Sequence, residues 1–142
     1  MTRINVVPPE CLTDKHLLAE YRELPRIFTA TRTLTSQGVT ADEYLAKNFI
    51  PKNYVLGTNH VKFFYNKISF LYKRYKDIVH ELENRNFKLD YEMISSILLH
   101  CQEIDASYYG EYKPTPEDMY LNMARLAKRS NILRVLTELK EG

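Results

Sequence analysis

The chain contains few residues of the kinds that many functional sites require. It has four glycines among 142 residues, which argues against a Gly-rich loop that binds nucleotide phosphates. Its two cysteines, Cys11 and Cys101, form no metal-ligand pattern, and we expect both to be reduced and buried. There is no tryptophan, and no apolar run approaches the roughly 20 residues of a membrane helix.

The remaining bulk properties are those of an ordinary globular protein. Hydrophobic residues make up 44% and charged residues 27% of the chain, and its length fits one domain. The opening MTRINVVPPE lacks the apolar core of a signal peptide, so we expect an intracellular protein without a membrane anchor. The net charge of +2 is too small to establish a nucleic-acid partner by itself.

The first predicted helix follows an extended arm over residues 1–12. Thr13 is a suitable N-cap, and Asp14 lies in the first turn, where the helix dipole favours an anion. Pro25 removes one backbone donor, so the pattern predicts a kink before the helix continues to about Leu34. The predicted inward face consists of Leu17, Leu18, Tyr21, Leu24, Pro25 and Phe28.

The residue pattern in the middle of the chain predicts an irregular segment followed by a long helix. Residues 35–57 are poorly patterned, with one short helical turn expected in ADEYLAKNF. A helix capped by Thr58 or Asn59 is then predicted to run for about six turns. Its apolar residues recur at spacings of three and four: Val61, Phe64, Ile68, Leu71, Tyr75, Ile78 and Leu82.

Two further helices are predicted after residue 89. DYEMISSILLHCQEI begins with Asp90 as its cap, and TPEDM is a helix start in which Thr115 caps and Pro116 is the first helical residue. Their predicted inward residues are Ile94, Ile97, Leu98, Cys101, Met119, Met123, Leu126 and Leu133. We find no strand pattern, repeat or linker. The sequence therefore predicts an all-α fold, a compact single domain over residues 1–142 with three to five helices and an extended N-terminal arm.

The N-terminus carries the first candidate for chemistry. Threonine is small, so Met1 is expected to be removed and Thr2 to expose a free α-amino group. The pKa of an α-amine is about 7.7–8.0 against about 10.4 for lysine, so it is a ready nucleophile at neutral pH. Such an amine can form a Schiff base with an aldehyde-like carbon. Alone, this feature does not indicate a site, because many proteins begin in this way and such a terminus is typically frayed.

A second candidate lies in HLLAEYRELPR, residues 16–26. Arg22 and Arg26 are four residues apart on one helical face, and Glu23 lies beside Arg26 at a spacing of three. One interpretation is a solvated face with a surface ion pair. The other is a carboxylate held among cations that bind phosphate, for which the planar guanidinium is well suited.

Five stretches together resemble one enzyme family. MTRIN, HLLAEYRELPRI, GTNHVKFFYNK, YKPTPEDM and ARLAKR occur in this order and cover roughly residues 2–30, 55–90 and 108–129. They resemble the pyrimidine-dimer DNA glycosylases of phages and algal viruses, also called phage endonuclease V. The resemblance implies an all-α fold with three principal helices and neither a metal nor an organic cofactor.

The resemblance also implies an activity and its residues. Such an enzyme excises UV-induced cyclobutane pyrimidine dimers and then cuts the strand by β-elimination as an abasic-site lyase. It implies that the amine of Thr2 attacks C1′ of the damaged nucleotide and that Glu23 is the catalytic carboxylate. The residues that match the substrate pocket or phosphate contacts are Arg3, His16, Arg22, Arg26, Arg125 and Arg129. We therefore expect a monomer that binds damaged double-stranded DNA near the nucleoid, in the cytoplasm of a phage or bacterial host cell.

The chain departs from the family pattern in three places. Asn59 and Asn86 stand where glycine is common, and the chain lacks the family's Trp/Tyr-rich C-terminal segment. Two alternatives therefore stay open: a lyase that acts on other damaged bases, and a non-catalytic DNA-binding or interaction module of the same fold. His60, His80 and His100 have no ligand spacing and are expected to be capping or core-edge residues. The cations between Lys62 and Lys76, Arg74 included, could contact phosphates or only solvate a helix.

Overall fold

The computed structural model describes residues 3–130, with side chains to residue 127, and this part of the chain is helical without a strand. The helices are α1 (Asp14–Glu23), α2 (Pro25–Ser36), α3 (Ala41–Lys47), α4 (His60–Phe63), α5 (Ile68–Asn84), α6 (Tyr91–His100) and α7 (Pro116–Ser130). Residues 3–8 form no helix, and the predicted all-α fold with an N-terminal arm is confirmed. Within the described range, no helix has the length and hydropathy needed to span a membrane.

The seven helical segments correspond to five predicted helices, because two of the predicted helices are each divided in two. The caps predicted for the first helix and for the helix after residue 89 are confirmed: Thr13 accepts from the His16 N–H, and Asp90 accepts from the Met93 N–H. Thr115 and Asp118 cap each other, each side chain accepting the other's backbone N–H. Such caps satisfy donors that the first helical turn cannot pair internally.

The kink predicted at Pro25 is confirmed as the boundary between α1 and α2. Leu24 keeps helical angles (φ −55°, ψ −42°), and Pro25 begins α2, a position that favours proline because the N–H it lacks would have no partner within α2. The Ile27 N–H donates to the Leu24 carbonyl at 3.1 Å, which tightens the turn after the proline. The chain thus changes its hydrogen-bond pattern at this point while it stays helical.

The prediction of one continuous helix from residue 58 to Leu82 was wrong. Helix α4 ends at Phe63, and the backbone turns before α5 begins at Ile68. Phe63 and Phe64 are both buried although they are adjacent in sequence, and the Asn66 carbonyl accepts from the Gly110 N–H instead of an intrahelical donor. Val61 and Phe64 fit the helical period of α5 only by coincidence. The cap proposed at residue 59 is also absent, since Asn59 adopts the left-handed conformation without a side-chain cap.

Contacts divide the chain into two units. The first unit comprises Met1–Ile4 and Pro8–Lys113, and helices α1, α2 and α5 supply its core. The fully buried apolar side chains of these helices are Leu17, Ile27, Ile68, Leu71, Tyr75, Ile78 and Leu82, and Leu24 between α1 and α2 is also fully buried. Asn86 ends α5 with a φ of 65°, and the Phe87 N–H donates to the Leu82 carbonyl, as in a Schellman motif. The prediction of a single domain over 1–142 stays a prediction.

The second unit comprises Asn5–Val7 and Pro114–Gly142, described up to residue 130. The predicted inward face of α7 was wrong in part: Leu126 is buried as predicted, whereas Met123 is 47% exposed and Asn122 is fully buried. Asn122 and Leu126 form the buried face. The Asn122 side chain is buried on the face where apolar residues were expected because its amide oxygen accepts hydrogen bonds from the backbone N–H groups of residues 6 and 7. Leu133, also predicted to face inward, lies outside the described residues.

Both cysteines are free thiols in different surroundings. Cys101 is buried as predicted, and burial raises the pKa of its thiol to about 11. The prediction that Cys11 is buried was wrong, since it is exposed at the end of the 3₁₀ turn Pro9–Cys11.

Candidate active site

Three predicted site residues lie together at the junction of α1 and α2. Arg22 is in the last turn of α1, Glu23 is its last residue, and Arg26 is the second residue of α2. Because the backbone stays helical through Leu24, Arg22 and Arg26 remain about one turn apart, as the spacing of four predicts. Both arginines are exposed and Glu23 is half-buried. The junction therefore presents two guanidinium groups to solvent beside a partly shielded carboxylate.

The N-terminal arm reaches this junction. The Arg3 N–H donates to Glu23 Oε2 at 3.3 Å, although the two residues are 20 positions apart. The Arg3 side chain is half-buried. Thr2, the predicted nucleophile, lies outside the described residues. In any peptide, the nitrogen of one residue lies within about 4 Å of the amide nitrogen of the next residue, since only two carbon atoms separate them.

His16 lies on the same side of α1 as Glu23. Seven residues separate the two, which is close to two helical turns. His16 is half-buried, and its backbone N–H is held by the cap residue Thr13 at 3.3 Å. The imidazole is therefore on the helical face that carries the carboxylate, about 10 Å along the axis.

A buried ion pair holds α1 against α5 directly below this face. The Arg74 guanidinium donates through Nε and Nη2 to the two carboxylate oxygens of Glu20, and the Nη2–Oε1 distance is 3.0 Å. The side chains are 6% and 1% exposed. The sequence analysis placed Arg74 among cations that either contact phosphates or solvate their helix, and its burial with Glu20 shows that this grouping was wrong. Its place in the buried row with Leu71, Tyr75 and Ile78 was the available signal.

The arm is also held at Ile4. The Ile4 N–H donates to His60 Nε2 at 2.8 Å, and the Tyr54 hydroxyl donates to the Ile4 carbonyl at 3.2 Å. Ile4, Tyr54 and His60 are all buried. The structural role expected for His60 is confirmed, but its attachment to the arm had no signal in the local sequence, because the two residues are 56 positions apart.

The second unit contains the other predicted phosphate ligands. Asn122 Oδ1 accepts from the N–H groups of Val6 and Val7 at 2.6 and 3.2 Å. Asn5 Oδ1 accepts from both the Asn122 amide and the Arg125 guanidinium. Arg125 is thus half-buried and partly engaged within its own unit. The side chain of Arg129 lies outside the described residues.

Lys67 carries an amine that is an alternative nucleophile to the predicted amine of Thr2. Burial lowers its pKa to about 8, so a larger fraction is neutral at pH 7 than for an ordinary lysine. Its Nζ donates to the Phe63 carbonyl at 2.8 Å and to Asn66 Oδ1 at 3.0 Å, and it lies 3.9 Å from the Phe63 ring centre. These contacts occupy the amine and make it a poor nucleophile for a bulky substrate.

The α1–α2 junction can bind anions and stabilise a developing cation. Planar guanidinium groups suit phosphate oxygens, and a fixed carboxylate in a partly shielded position favours positive charge on a nearby carbon. Across residues 3–127, no cluster of three or more His, Cys, Asp or Glu side chains is arranged to hold a metal ion.

The comparison with known families agrees with this arrangement. A sequence model described as pyrimidine dimer DNA glycosylase matches residues 1–95, that is 95 of the 142 residues. The matched range includes the arm, α1, α2 and α5, and thus the whole α1–α2 junction. Helix α7 lies beyond it.

Proposed function

The chain belongs to the pyrimidine dimer DNA glycosylase family and is a DNA repair glycosylase, and from this membership we propose its full reaction. It excises UV-induced cyclobutane pyrimidine dimers through a Schiff base on the Thr2 amine. It then cuts the strand by β-elimination as an abasic-site lyase. Arg3, His16, Arg22 and Arg26 line the substrate pocket or hold phosphates, and Arg125 and Arg129 contact phosphates from α7.

The observation that carries the proposal is the bond between the Arg3 N–H and Glu23. It joins the residue after Thr2 to the carboxylate that the family pattern makes catalytic. With the amine limited to about 4 Å from the Arg3 nitrogen, nucleophile and carboxylate can act on one sugar. A surface ion pair between helix residues would not require the N-terminus to approach this carboxylate.

The chemistry follows from these two groups. The neutral amine attacks C1′, the N–C1′ bond forms, and the C1′–N bond to the pyrimidine breaks with its electron pair leaving on the base. Glu23 stabilises the cationic sugar in this step and assists the proton transfers of ring opening. The resulting iminium acidifies the C2′ proton. Loss of that proton breaks the C3′–O bond, the 3′-phosphate leaves, and no metal is required.

The damaged DNA contributes to selectivity. A pyrimidine dimer is already poorly stacked, which lowers the free energy needed to extrude a nucleotide and expose C1′. Bending of the duplex would widen access for an amine on the groove side. We propose that the protein acts as a monomer on double-stranded DNA near the nucleoid, in the cytoplasm of a phage or bacterial host cell.

A lyase with wider lesion specificity is the second candidate. Residues 131–142, NILRVLTELKEG, contain neither tryptophan nor tyrosine, unlike the aromatic C-terminal segment of the family pattern. Stacking on aromatic side chains is a common means of holding extruded bases. This absence favours activity on other damaged bases and leaves the imine chemistry unchanged. The non-catalytic alternative gives no functional reason for the hydrogen bond between the Arg3 N–H and Glu23.

Borohydride trapping tests the proposal. We expect the wild-type protein to become covalently linked to a duplex containing one abasic site when borohydride is present. The reagent transfers hydride to the iminium carbon and leaves a stable secondary amine between Thr2 and the sugar. Mass spectrometry of the digested adduct should place the link on the N-terminal peptide that begins with Thr2.

Two matched variants control this experiment. Lys67→Arg removes the competing amine of lowered pKa and should trap as well as the wild type. A version with one added N-terminal residue displaces the amine and should lose trapping. An adduct located on Lys67, or no adduct at all, would contradict the proposed nucleophile.

Salt dependence tests the arginine contacts. Each lost phosphate contact should lower the slope of log affinity against log salt by about 0.9. Arg125→Gln and Arg129→Gln should weaken binding to damaged and undamaged duplexes by similar factors, because phosphates carry no lesion information. Arg22→Gln and Arg26→Gln should weaken binding to damaged duplexes more than binding to undamaged ones, since these residues flank Glu23 at the α1–α2 junction.

Arg32→Gln is the matched control for the salt titrations. Arg32 is also on α2, but it lines a small cleft with Ile97, His100 and Cys101 and lies 3.8 Å from Glu103. Its loss should leave the slope unchanged. Because Arg125 also donates to Asn5, the folding stability of that variant is measured alongside its affinity. Unchanged slopes for all four test variants would remove the proposed DNA-binding face.

A further inference from the structure

The ring of His60 is held at both nitrogens inside the first unit. Its Nε2 lies 2.8 Å from the Ile4 nitrogen, and its Nδ1 lies 2.7 Å from the Val55 carbonyl oxygen. The side chain is 2% exposed, and the rings of Tyr54 and Phe64 pack edge-on against it. A buried imidazole bonded in this way has one orientation.

The partners determine which tautomer is present. A backbone N–H can only donate and a carbonyl oxygen can only accept, so Nε2 must carry the lone pair and Nδ1 the hydrogen. His60 is therefore a neutral acceptor for Ile4. Residues 3–8 form no helix, so the buried Ile4 N–H has no partner from regular secondary structure. The histidine supplies the acceptor that this part of the arm lacks.

We propose that His60 is a positioning residue for the N-terminal nucleophile, holding the arm through the Ile4 N–H so that the amine two residues earlier meets its substrate beside Glu23. This inference rests on the proposed function, because it concerns the Thr2 amine. It assigns a second anchor to the arm, since the bond from Arg3 to Glu23 is long at 3.3 Å whereas that from Ile4 to His60 is 2.8 Å.

The location of the anchor determines what it affects. His60 lies on α4, away from the exposed arginines of the α1–α2 junction in sequence, and its ring is buried. Its loss should therefore alter the approach of the amine and of the neighbouring Arg3, while the phosphate contacts of Arg22 and Arg26 stay in place. Misplacement of a reacting group by about 1 Å can lower a rate by about 100-fold. The expected signature is a chemical step that slows far more than the affinity for DNA falls.

Two conservative variants separate this role from a merely structural one. His60→Gln can place an amide oxygen near the position of Nε2 and keep the acceptor for Ile4. His60→Asn can place its amide nitrogen near Nδ1, keep the bond to Val55, and leave Ile4 without an acceptor. Both lose one buried hydrogen bond, so a structural role alone predicts similar effects.

Single-turnover borohydride trapping on an abasic duplex is the readout, with duplex affinity measured in parallel. We expect His60→Asn to trap about 10- to 100-fold more slowly than the wild type and His60→Gln to stay within about threefold. The affinity of both variants for the abasic duplex should fall far less than the trapping rate of His60→Asn. Equal trapping rates for two folded variants would overturn the proposal.

A measurement on the wild-type chain does not depend on either variant folding. The Ile4 amide should exchange its hydrogen slowly, and NMR of the His60 ring should show the hydrogen on Nδ1. Rapid exchange at Ile4 or a hydrogen on Nε2 would also overturn the proposal. If Ile4 is protected but the wild type forms no adduct, the proposed function fails while the anchor stands. If the adduct forms on Thr2 and His60→Asn matches His60→Gln, only the role of His60 fails.

Discussion

Replacing Glu23 with glutamine is expected to lower glycosylase activity by about 100- to 1,000-fold or more while DNA binding is retained. Glutamine keeps the shape of the side chain and can still accept the Arg3 N–H, so the arm keeps this contact. It loses the negative charge that stabilises the cationic sugar. The rate of excision from dimer-containing DNA, measured at saturating protein, isolates this electrostatic contribution.

The same variant distinguishes the catalytic role from a role in binding. Removing a carboxylate from between Arg22 and Arg26 reduces repulsion of DNA phosphates, so affinity for undamaged duplex should rise slightly or stay the same. A loss confined to the rate indicates stabilisation of the transition state. Glu23→Asp, which keeps the charge but retracts it by one methylene, should retain more activity than Glu23→Gln.

Glu92→Gln is the matched control, because Glu92 is an exposed glutamate in the first turn of α6. It should leave both excision and binding at wild-type levels. Substantial dimer excision by Glu23→Gln would falsify the role assigned to this carboxylate. The reaction would then have to proceed with the amine and the arginines alone.

The sequence was sufficient to predict those parts of the site that depend on local spacing. Arg22, Glu23 and Arg26 lie at one helix junction because Pro25 starts α2 and Leu24 stays helical. The caps Thr13, Asp90 and Thr115 could be predicted because each cap side chain accepts the backbone N–H of the residue three positions later. Each of these features is decided within one or two helical turns.

Contacts between distant residues could not be predicted in the same way. Arg74 resembled its lysine neighbours, and only the approach of Glu20 from α1 explains why a cation is buried there. Asn122 interrupts an apolar pattern because it pairs the backbone of Val6 and Val7, 116 and 115 positions away. The helical period alone also led to the wrong prediction that α4 and α5 form one helix. The period carries no information on the hydrogen bond from the Gly110 N–H to the Asn66 carbonyl.

The ion pair between Glu20 and Arg74 leads to the second large expected effect. Arg74→Met should lower the free energy of unfolding by about 3–5 kcal/mol, because the Glu20 carboxylate would remain buried without its partner. The double variant Glu20→Leu with Arg74→Met should recover most of this loss, since apolar side chains of similar size can replace a buried pair. Urea denaturation of the two single variants and the double variant measures these changes.

Arg32 and Glu103 provide the surface comparison for this cycle. Their side chains are 36% and 61% exposed at a separation of 3.8 Å, so breaking that pair should change stability by less than about 1 kcal/mol. Glu20 is on α1, three residues before Glu23, so we expect the ion pair to support the orientation of Glu23 as well. If apolar packing alone orients α1, the stable double variant should trap abasic DNA at the wild-type rate. A stable double variant that traps slowly would show that the buried charges themselves orient Glu23, and equal stability of Arg74→Met and the wild type would contradict the importance of the pair.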